Sequence, residues 1–555
     1  MGQVVNLRRV VNPPPGRLGK PPQAASLPYR MGWMAVENNG PRSIVIGILA
    51  VLLGGGLSTL NGRLLSVALP DLRGILHLSV AEAAWIPTTY NMAIMFIGVF
   101  SVYLGALLGP RRILLACSLI YMSASLLLPL ASGYPAMLVL QAIAGFSCGT
   151  FYPLTLSFIL TNLPLRVAHF GLAAYSLTIL FSANIASALS AELLTKLSWS
   201  WILWLLAAVS LLMFFCVYFG MPRTPLPKPN PKMHISWRGL LYWSFGLALI
   251  YGALDIGERV HWFDSPTYAA LLFSGLFLVL ISILRRNQDP NPLIAIPYLR
   301  NRSTLLLGII LFWFRLFLLS TALLIPQFLS GVEGLRDEQV GPVLAIVAVL
   351  QFCIAWVVGL TLRSVNARLV MAAGFGLVGI TAFLCAHLTT AWAPSSYIPY
   401  TVLFAIGESF AMLGMVSAII LQVIGSGAVS ALGKPQRPAD VLTFSGFFHT
   451  VRIMGGQVGT VLILHLLSER TKYHVAILDQ QTAPARLPVT AFLRGTSAAF
   501  GSPGVSGYLL GATVRRQAST LAFADAFTVI AWASVLVLVL IVFVRLRISN
   551  FKELA

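Results

Sequence analysis

Long apolar runs follow one another through almost the whole of this chain, and no other feature limits its fold so strictly. A helix needs about 20 predominantly apolar residues to cross a bilayer. Fourteen stretches qualify, at 43–69, 84–108, 113–132, 136–161, 168–193, 199–220, 237–257, 266–285, 303–330, 339–361, 368–390, 396–424, 441–467 and 525–546. Inside lipid every backbone amide must find its partner within the protein, which helices do segment by segment. The expectation is an all-α membrane protein with fourteen transmembrane helices. Composition agrees, because 57% of residues are hydrophobic and 10% charged, whereas soluble domains carry about 25% charged residues. A water-soluble enzyme is excluded on that ground.

The 37 Lys and Arg against 17 Asp and Glu give a formal charge of +20, which in a soluble chain would suggest nucleic acid. Position argues otherwise, and no nucleic-acid partner is expected. The basic residues gather in short segments between apolar runs: Arg111 and Arg112, Arg166, Arg223, Lys228, Lys232, Arg285, Arg286, Arg300, Arg302, Arg363, Arg368, Lys434, Arg437, Arg545 and Arg547. If the spans alternate, all of these fall on one side, as the excess of positive charge in cytoplasmic loops requires. An even number of spans returns the chain to its starting side, so both termini are expected in the cytoplasm. Residues 1–42 read as a basic, Pro-rich cytoplasmic tail without the apolar core of a cleavable signal. Cytoplasmic linkers follow at 221–236, which is Pro-rich, and at 286–302, with a short tail at 547–555. The segment 468–524 reads as an extracytoplasmic loop whose basic residues do not overturn the orientation, since long loops cross largely regardless of charge. All five cysteines lie in apolar runs, where they behave as small hydrophobes, and no disulfide framework is expected.

Small residues recur at four-residue spacing, as Gly105 and Gly109, Gly145 and Gly149, and Gly455 and Gly459. That spacing lets helix backbones approach closely in lipid, and ordinary packing is the reading it favours. Pro70 and Pro153 can end or bend spans, while Pro135 starts one.

Several local patterns carry a family resemblance. Leu60 to Pro70 (LNGRLLSVALP) stands where the fourteen-helix drug–proton antiporter branch of the major facilitator superfamily, the EmrB/QacA type, has L-D-x-T-I-V-N-V-A-L-P. Trp85 to Tyr90 follows as W-x-x-T-x-Y, and Asp255 to Pro266, Asn301-Arg302, Leu324 to Gln327, Arg516 to Ala518 and Ala524 to Phe527 also look like this branch. The resemblance implies a major facilitator fold: six-helix bundles over 43–220 and 303–546, with two inserted central helices over 237–285. It further implies a central cavity lined by spans 1, 4, 9 and 12, with alternating access by rocking one bundle against the other. A small-molecule substrate and protons would be the transported species, in a bacterial inner membrane. Relatives in two-membrane bacteria often join a periplasmic adaptor and an outer-membrane channel, which makes both candidate partners here.

The departures redirect the search for charge. Asn61 stands where the branch has its acidic span-1 residue, and Gln141 where the span-4 motif begins with Arg. The loop motif between spans 2 and 3 is reduced to Gly109, Arg111 and Arg112 as gating candidates, with Val102 and Ala106 where its first Gly and its Asp belong.

A charge near the bilayer centre costs at least about 2.5–3.5 kcal/mol on insertion scales, so such residues face a cavity or a partner. Arg63 in span 1, Arg315 in span 9, Glu408 in span 12, and His449 with Arg452 in span 13 are the candidates for proton coupling or gating. Glu408 is read as the one carboxylate deep in a span. Burial and a nearby arginine act on a carboxyl in opposite directions, so Glu408 is expected to cycle through protonation, with Arg315 as partner. A permanent ion pair that fixes packing is the alternative. Arg63 either faces the cavity or snorkels to the outer headgroups. His449 and Arg452 suit a gate or a packing pair. Asn61, Tyr90, Asn91, Gln141 and Trp313 are candidates to line the substrate cavity. Counting Arg63, Arg315 and Arg452 against Glu408 makes that cavity net positive and favours weakly acidic aromatic compounds.

No G-x-x-x-x-G-K-[ST] phosphate loop and no H-E-x-x-H metal motif occur in the sequence, so no enzyme activity, cofactor or metal ion is expected. Proton-coupled efflux of small amphipathic compounds or drugs leads. A uniporter or differently coupled porter follows, and a non-transporting membrane component that retains the fold is the third class.

Overall fold

The computed structural model describes residues 41–131, 133–162, 165–223, 237–286, 301–425, 438–482, 486–500, 502–548, 550 and 552. Most of the 1–42 tail, most of the 221–236 and 286–302 linkers, and Lys228, Lys232, Arg300, Lys434 and Arg437 lie outside the described residues. Among those described, 14 helices are long and apolar enough to cross a membrane. Spans 1 to 6 run over Val45–Ile75, Val80–Ser101, Pro110–Leu130, Tyr134–Leu156, Ala173–Lys196 and Ser200–Gly220. Spans 7 and 8 are Arg238–Val260 and Pro266–Arg285. Spans 9 to 14 are Arg302–Gly331, Asp337–Ser364, Ala367–Cys385, Pro394–Gly425, Gly446–Gln481 and Gly504–Phe543. Every apolar run of the sequence has its helix. The protein is a multi-pass membrane protein.

Local chemistry explains where the helices start and stop. Ser79 caps span 2 reciprocally with Glu82, its backbone amide donating to Glu82 Oε2 at 2.9 Å while the Glu82 amide donates to Ser79 Oγ at 3.2 Å. Asn301 and Asn366 cap spans 9 and 11, accepting from Ser303 and Arg368 amides at 3.0 and 2.9 Å. Each cap satisfies an amide that the first helical turn leaves unpaired. Gly109 turns the chain from span 2 into span 3 with φ +85°, which a side chain would strain, and Pro110 then opens the next helix. In span 4 the helix breaks between Cys148 and Phe151, beside Pro153, whose ring crowds the carbonyl of Gly149 and offers it no N–H.

The glycine pairs act as packing seams. A Cβ on Gly145 would lie 2.3 Å from the Tyr90 carbonyl oxygen, and one on Gly149 2.9 Å from Ile94 Cα, so span 4 touches the backbone of span 2. Gly455 and Gly459 let span 13 approach span 9 at Phe312 and Leu316. Gly374, Gly407 and Gly414 do the same between spans 11 and 12, where a Cβ on Gly374 would stand 2.1 Å from the Ala411 nitrogen.

Spans 1–6 pack among themselves, as do spans 9–14. The two bundles meet along span 5 with span 10, and along span 2 with span 13. Spans 7 and 8 form a hairpin whose first helix docks on spans 2 and 13. Span 12 is the most enclosed helix, with 83% of its apolar window inside the protein, and span 8 the least, at 17%.

The segment 468–524, read from sequence as an extracytoplasmic loop, is largely helical among the described residues: the helix containing span 13 covers Pro438–Gln481, a helix follows at Leu487–Phe500, and the last runs over Pro503–Phe543. Arg470, read from sequence as a loop charge, donates to Asp525 Oδ2 at 2.7 Å, and His474 meets the same oxygen at 2.8 Å. Arg516 pairs with Glu333 and donates to the Thr390 carbonyl at 3.1 Å. These contacts tie the extension to neighbouring elements.

Candidate substrate cavity and buried carboxyl

Two polar features stand at the centre. The first is a cavity of about 340 Å³ between the bundles. Its lining residues belong to spans 1, 2, 5, 7, 9 and 13, and include Arg63, Asn91, Tyr251, Asp255, Arg315 and Arg452. Spans 4 and 12, expected from resemblance to line it, contribute no lining residue. Lining positions lie in the later parts of spans 1, 7 and 9 and the early part of span 2. Along these spans the cavity is displaced away from the face where span 1 begins, here called the amino-terminal face.

Toward the amino-terminal face the cavity is closed by aromatic packing across the bundles. The rings of Tyr152 in span 4 and Phe448 in span 13 stack with centroids 6.4 Å apart, and the Arg452 guanidinium lies over the Tyr152 ring at 3.7 Å. Nearby, His449 fills the space left by Gly98 in span 2, where a Cβ would come within 1.8 Å of Nε2. His449 therefore packs against span 2, while Arg452 packs on Tyr152 on one side and reaches the cavity on the other.

Arginine dominates the cavity. Arg63 Nη2 donates to the carbonyl of Ala322 in span 9 at 3.4 Å. Pro326, four residues on, has no N–H to offer that carbonyl, and Ser320–Leu324 is wound as a π-helix, a distortion common at functional positions. Arg315 leans on Gly456 of span 13, whose missing side chain leaves room for the guanidinium. Its Nε and the Nε and Nη2 of Arg452 are buried without hydrogen-bond partners among the described residues. The cavity carboxylate is Asp255, on inserted span 7. It accepts from Thr88 of span 2 and from Gln457 Nε2 of span 13 at 2.8 Å, with Arg259 at 3.5 Å.

The second feature is a buried chain of hydrogen bonds. Glu408 is fully enclosed and accepts from Thr321 Oγ1 and from Gln351 Nε2, both at 2.8 Å. Asn184 of span 5 donates to Gln351 Oε1 at 3.1 Å, so the network crosses from the second bundle into the first. The expected Glu408–Arg315 pair is not formed: Glu408 is held by neutral donors, and Arg315 faces the cavity. Six residues separate Arg315 from Thr321, which at 3.6 residues per turn sets them about 120° apart around an ideal helix.

The other sequence candidates divide. Asn91 lines the cavity. Asn61, Tyr90 and Gln141 are fully buried outside its lining. Trp313 is half-buried against Phe312 and also stands outside the lining. Gly109 makes the turn, Arg111 donates to the Tyr218 carbonyl at 2.9 Å and lies over its ring, and Arg112 is exposed. Sequence reasoning missed Asp255 and Tyr251 as cavity residues. The signal lay in the Asp255 to Pro266 stretch, a match placed at the end of a span that the resemblance treats as an insertion.

Two helical bundles around a polar cavity, closed toward one face, define the class of secondary transporters that work by alternating access. The chain belongs to the Major Facilitator Superfamily, whose family model matches residues 51–460. It is similar to the colistin resistance protein EmrB of Acinetobacter baumannii, 22% identical over 87% of this chain and 92% of that protein. It is also similar to the probable multidrug resistance protein EmrY of Escherichia coli K12, 22% identical over 80% and 86%. Solved structures of the same fold include the proton:xylose symporter XylE, with a TM-score of 0.55 at 12% identity over 92% of this chain and 98% of that one. The human organic anion transporter TETRAN aligns with a TM-score of 0.52 at 15% identity, covering 91% and 100%.

Proposed function

We propose that this transporter exports small amphipathic compounds carrying a weakly acidic group, coupled to proton entry through Glu408, without chemical change to its cargo. The observation that carries the reading is the cavity wall, where Arg63, Arg259, Arg315 and Arg452 stand beside a single carboxylate that is already hydrogen-bonded. Guanidinium groups bind carboxylates bidentately and stay charged throughout. Apolar lining residues such as Leu318, Leu319 and Leu323 suit the aromatic part of such a compound. The resistance and multidrug names of its EmrB and EmrY relatives support export of drug-like molecules.

Glu408 suits the proton because the groups that hold it are neutral: Thr321 and Gln351 donate to the ionised carboxylate, the Thr321 hydroxyl can turn to accept from the protonated one, and the ionised state is the costly one in a buried site. Neutral Asn61 and Gln141 leave Glu408 as the enclosed carboxylate for this role among the described residues. The proposed setting is a bacterial inner membrane with both termini in the cytoplasm, so that the cavity opens outward. The helices over 468–524 then stand on the outer side, where a periplasmic adaptor leading to an outer-membrane channel would meet them.

The test is export from cells or proteoliposomes of paired aromatic acids and lipophilic cations of similar size. Export of the acids, lost in Arg315→Gln, is the expected result; export of the cations alone would remove the cavity assignment.

A further inference from the structure

The inserted hairpin divides its two helices between different environments. Span 8 turns most of its apolar surface outward, while span 7 faces inward with Tyr251 buried and the Asp255 side chain 17% exposed. Both residues line the cavity. Asp255 is held from both bundles, by Thr88 of span 2 and Gln457 of span 13. A carboxylate offers about four acceptor positions, and a side chain fixed by partners from two bundles keeps its charge at one place in the wall. Tyr251 lines the cavity, and its hydroxyl can donate to a ligand there.

We propose that span 7 is a wall of the substrate site and that Tyr251 and Asp255 set its selectivity. Tyr251 donates to the anionic group of the ligand alongside Arg63 and Arg315. Asp255 tempers the arginine cluster and holds down affinity for a doubly charged ligand more than for a singly charged one. The physical reason is that Coulomb energy is linear in ligand charge. A fixed negative charge therefore acts on a dianion with twice the free energy it exerts on a monoanion, and the fold-change in affinity is squared. A transporter must also release its cargo, and the four lining arginines, Arg63, Arg259, Arg315 and Arg452, would bind a dicarboxylate too tightly to let it go without a counter-charge. The inference rests on the reading of the cavity as a site for acids.

The experiment is calorimetric titration of the purified full chain with 2-naphthoate and with naphthalene-2,3-dicarboxylate, which needs neither transport nor a proton gradient. Asp255→Asn is expected to tighten the monoanion about threefold and the dianion about tenfold, as the doubled charge requires. Asp255→Glu should keep the wild-type ratio, and Tyr251→Phe should weaken both by about fivefold, the loss of one hydrogen bond. Arg259→Gln, at an exposed side chain, removes the neighbouring positive charge and should shift the ratio the opposite way, which keeps the test open if Asp255→Asn fails to fold. Wild-type protein that binds both acids while the Asp255 and Arg259 variants leave their ratio unchanged would overturn the role of span 7 alone. Wild-type protein that binds neither acid would overturn this role together with the acid-cavity reading.

Discussion

Thr321 and Gln351 make Glu408 tolerable at full burial, each with a bond of 2.8 Å to one of its oxygens. Removing either donor by Thr321→Val or Gln351→Leu is expected to cost about 1–3 kcal/mol, the penalty for stripping a partner from a buried polar group. Thermal unfolding of the detergent-solubilised protein measures it, and an unchanged midpoint would deny the network its role. Arg452 is expected to behave differently. Arg452→Gln should weaken aromatic-acid binding by about tenfold or more, as loss of a buried charged donor does, and a binding titration checks it. The residue types were legible in sequence, since charges inside apolar runs draw attention by their cost. Their partners were not: which way Arg315 and Glu408 point depends on helix rotation and on the π-helical turn at Ser320–Leu324, and apolar runs of this kind encode neither.

Helices were legible because a span must be long and apolar whatever it packs against, and all fourteen runs form one. The helices over 468–524 were not, because a more polar stretch carries no such constraint, and the contacts of Arg470, His474 and Arg516 with other elements are tertiary. The docking of span 7 on spans 2 and 13 was hidden for a similar reason, being a matter of lateral packing. Glycine seams allow a direct test at this scale. Gly374→Val places a side chain against the backbone of span 12, whereas Gly376 has nothing within 4 Å of its added Cβ. Overpacking typically costs about 1–3 kcal/mol, and more when backbone must move. Gly374→Val should therefore lower the unfolding temperature markedly while Gly376→Ala leaves it in place; equal effects would mean that spans 11 and 12 do not pack as described.

Across the whole molecule, the two bundles enclose a cavity that is closed toward the amino-terminal face by Tyr152, Phe448 and Arg452. The buried chain from Asn184 through Gln351 to Glu408 crosses the seam along which the bundles would rock. Protonation at Glu408, as proposed, would bias their contact. Exchanging one proton inward for one monoanion outward moves two charges in the same electrical sense. Each contributes about 2.3 kcal/mol per 100 mV, so export should depend steeply on membrane potential. Clamping the potential to zero with valinomycin and balanced potassium, while a pH gradient remains, is expected to slow export of an aromatic acid strongly. An unchanged rate would exclude this stoichiometry.

The most direct measurement follows pH with a fluorescent reporter in energised inverted vesicles, adding an aromatic acid to wild type and to Glu408→Gln. The expected result is a substrate-dependent proton flux in wild type that is absent in the variant, while the variant still binds the acid. Equal flux in both proteins would contradict the placement of the proton site, and substrate accumulation without any flux in wild type would contradict proton coupling itself.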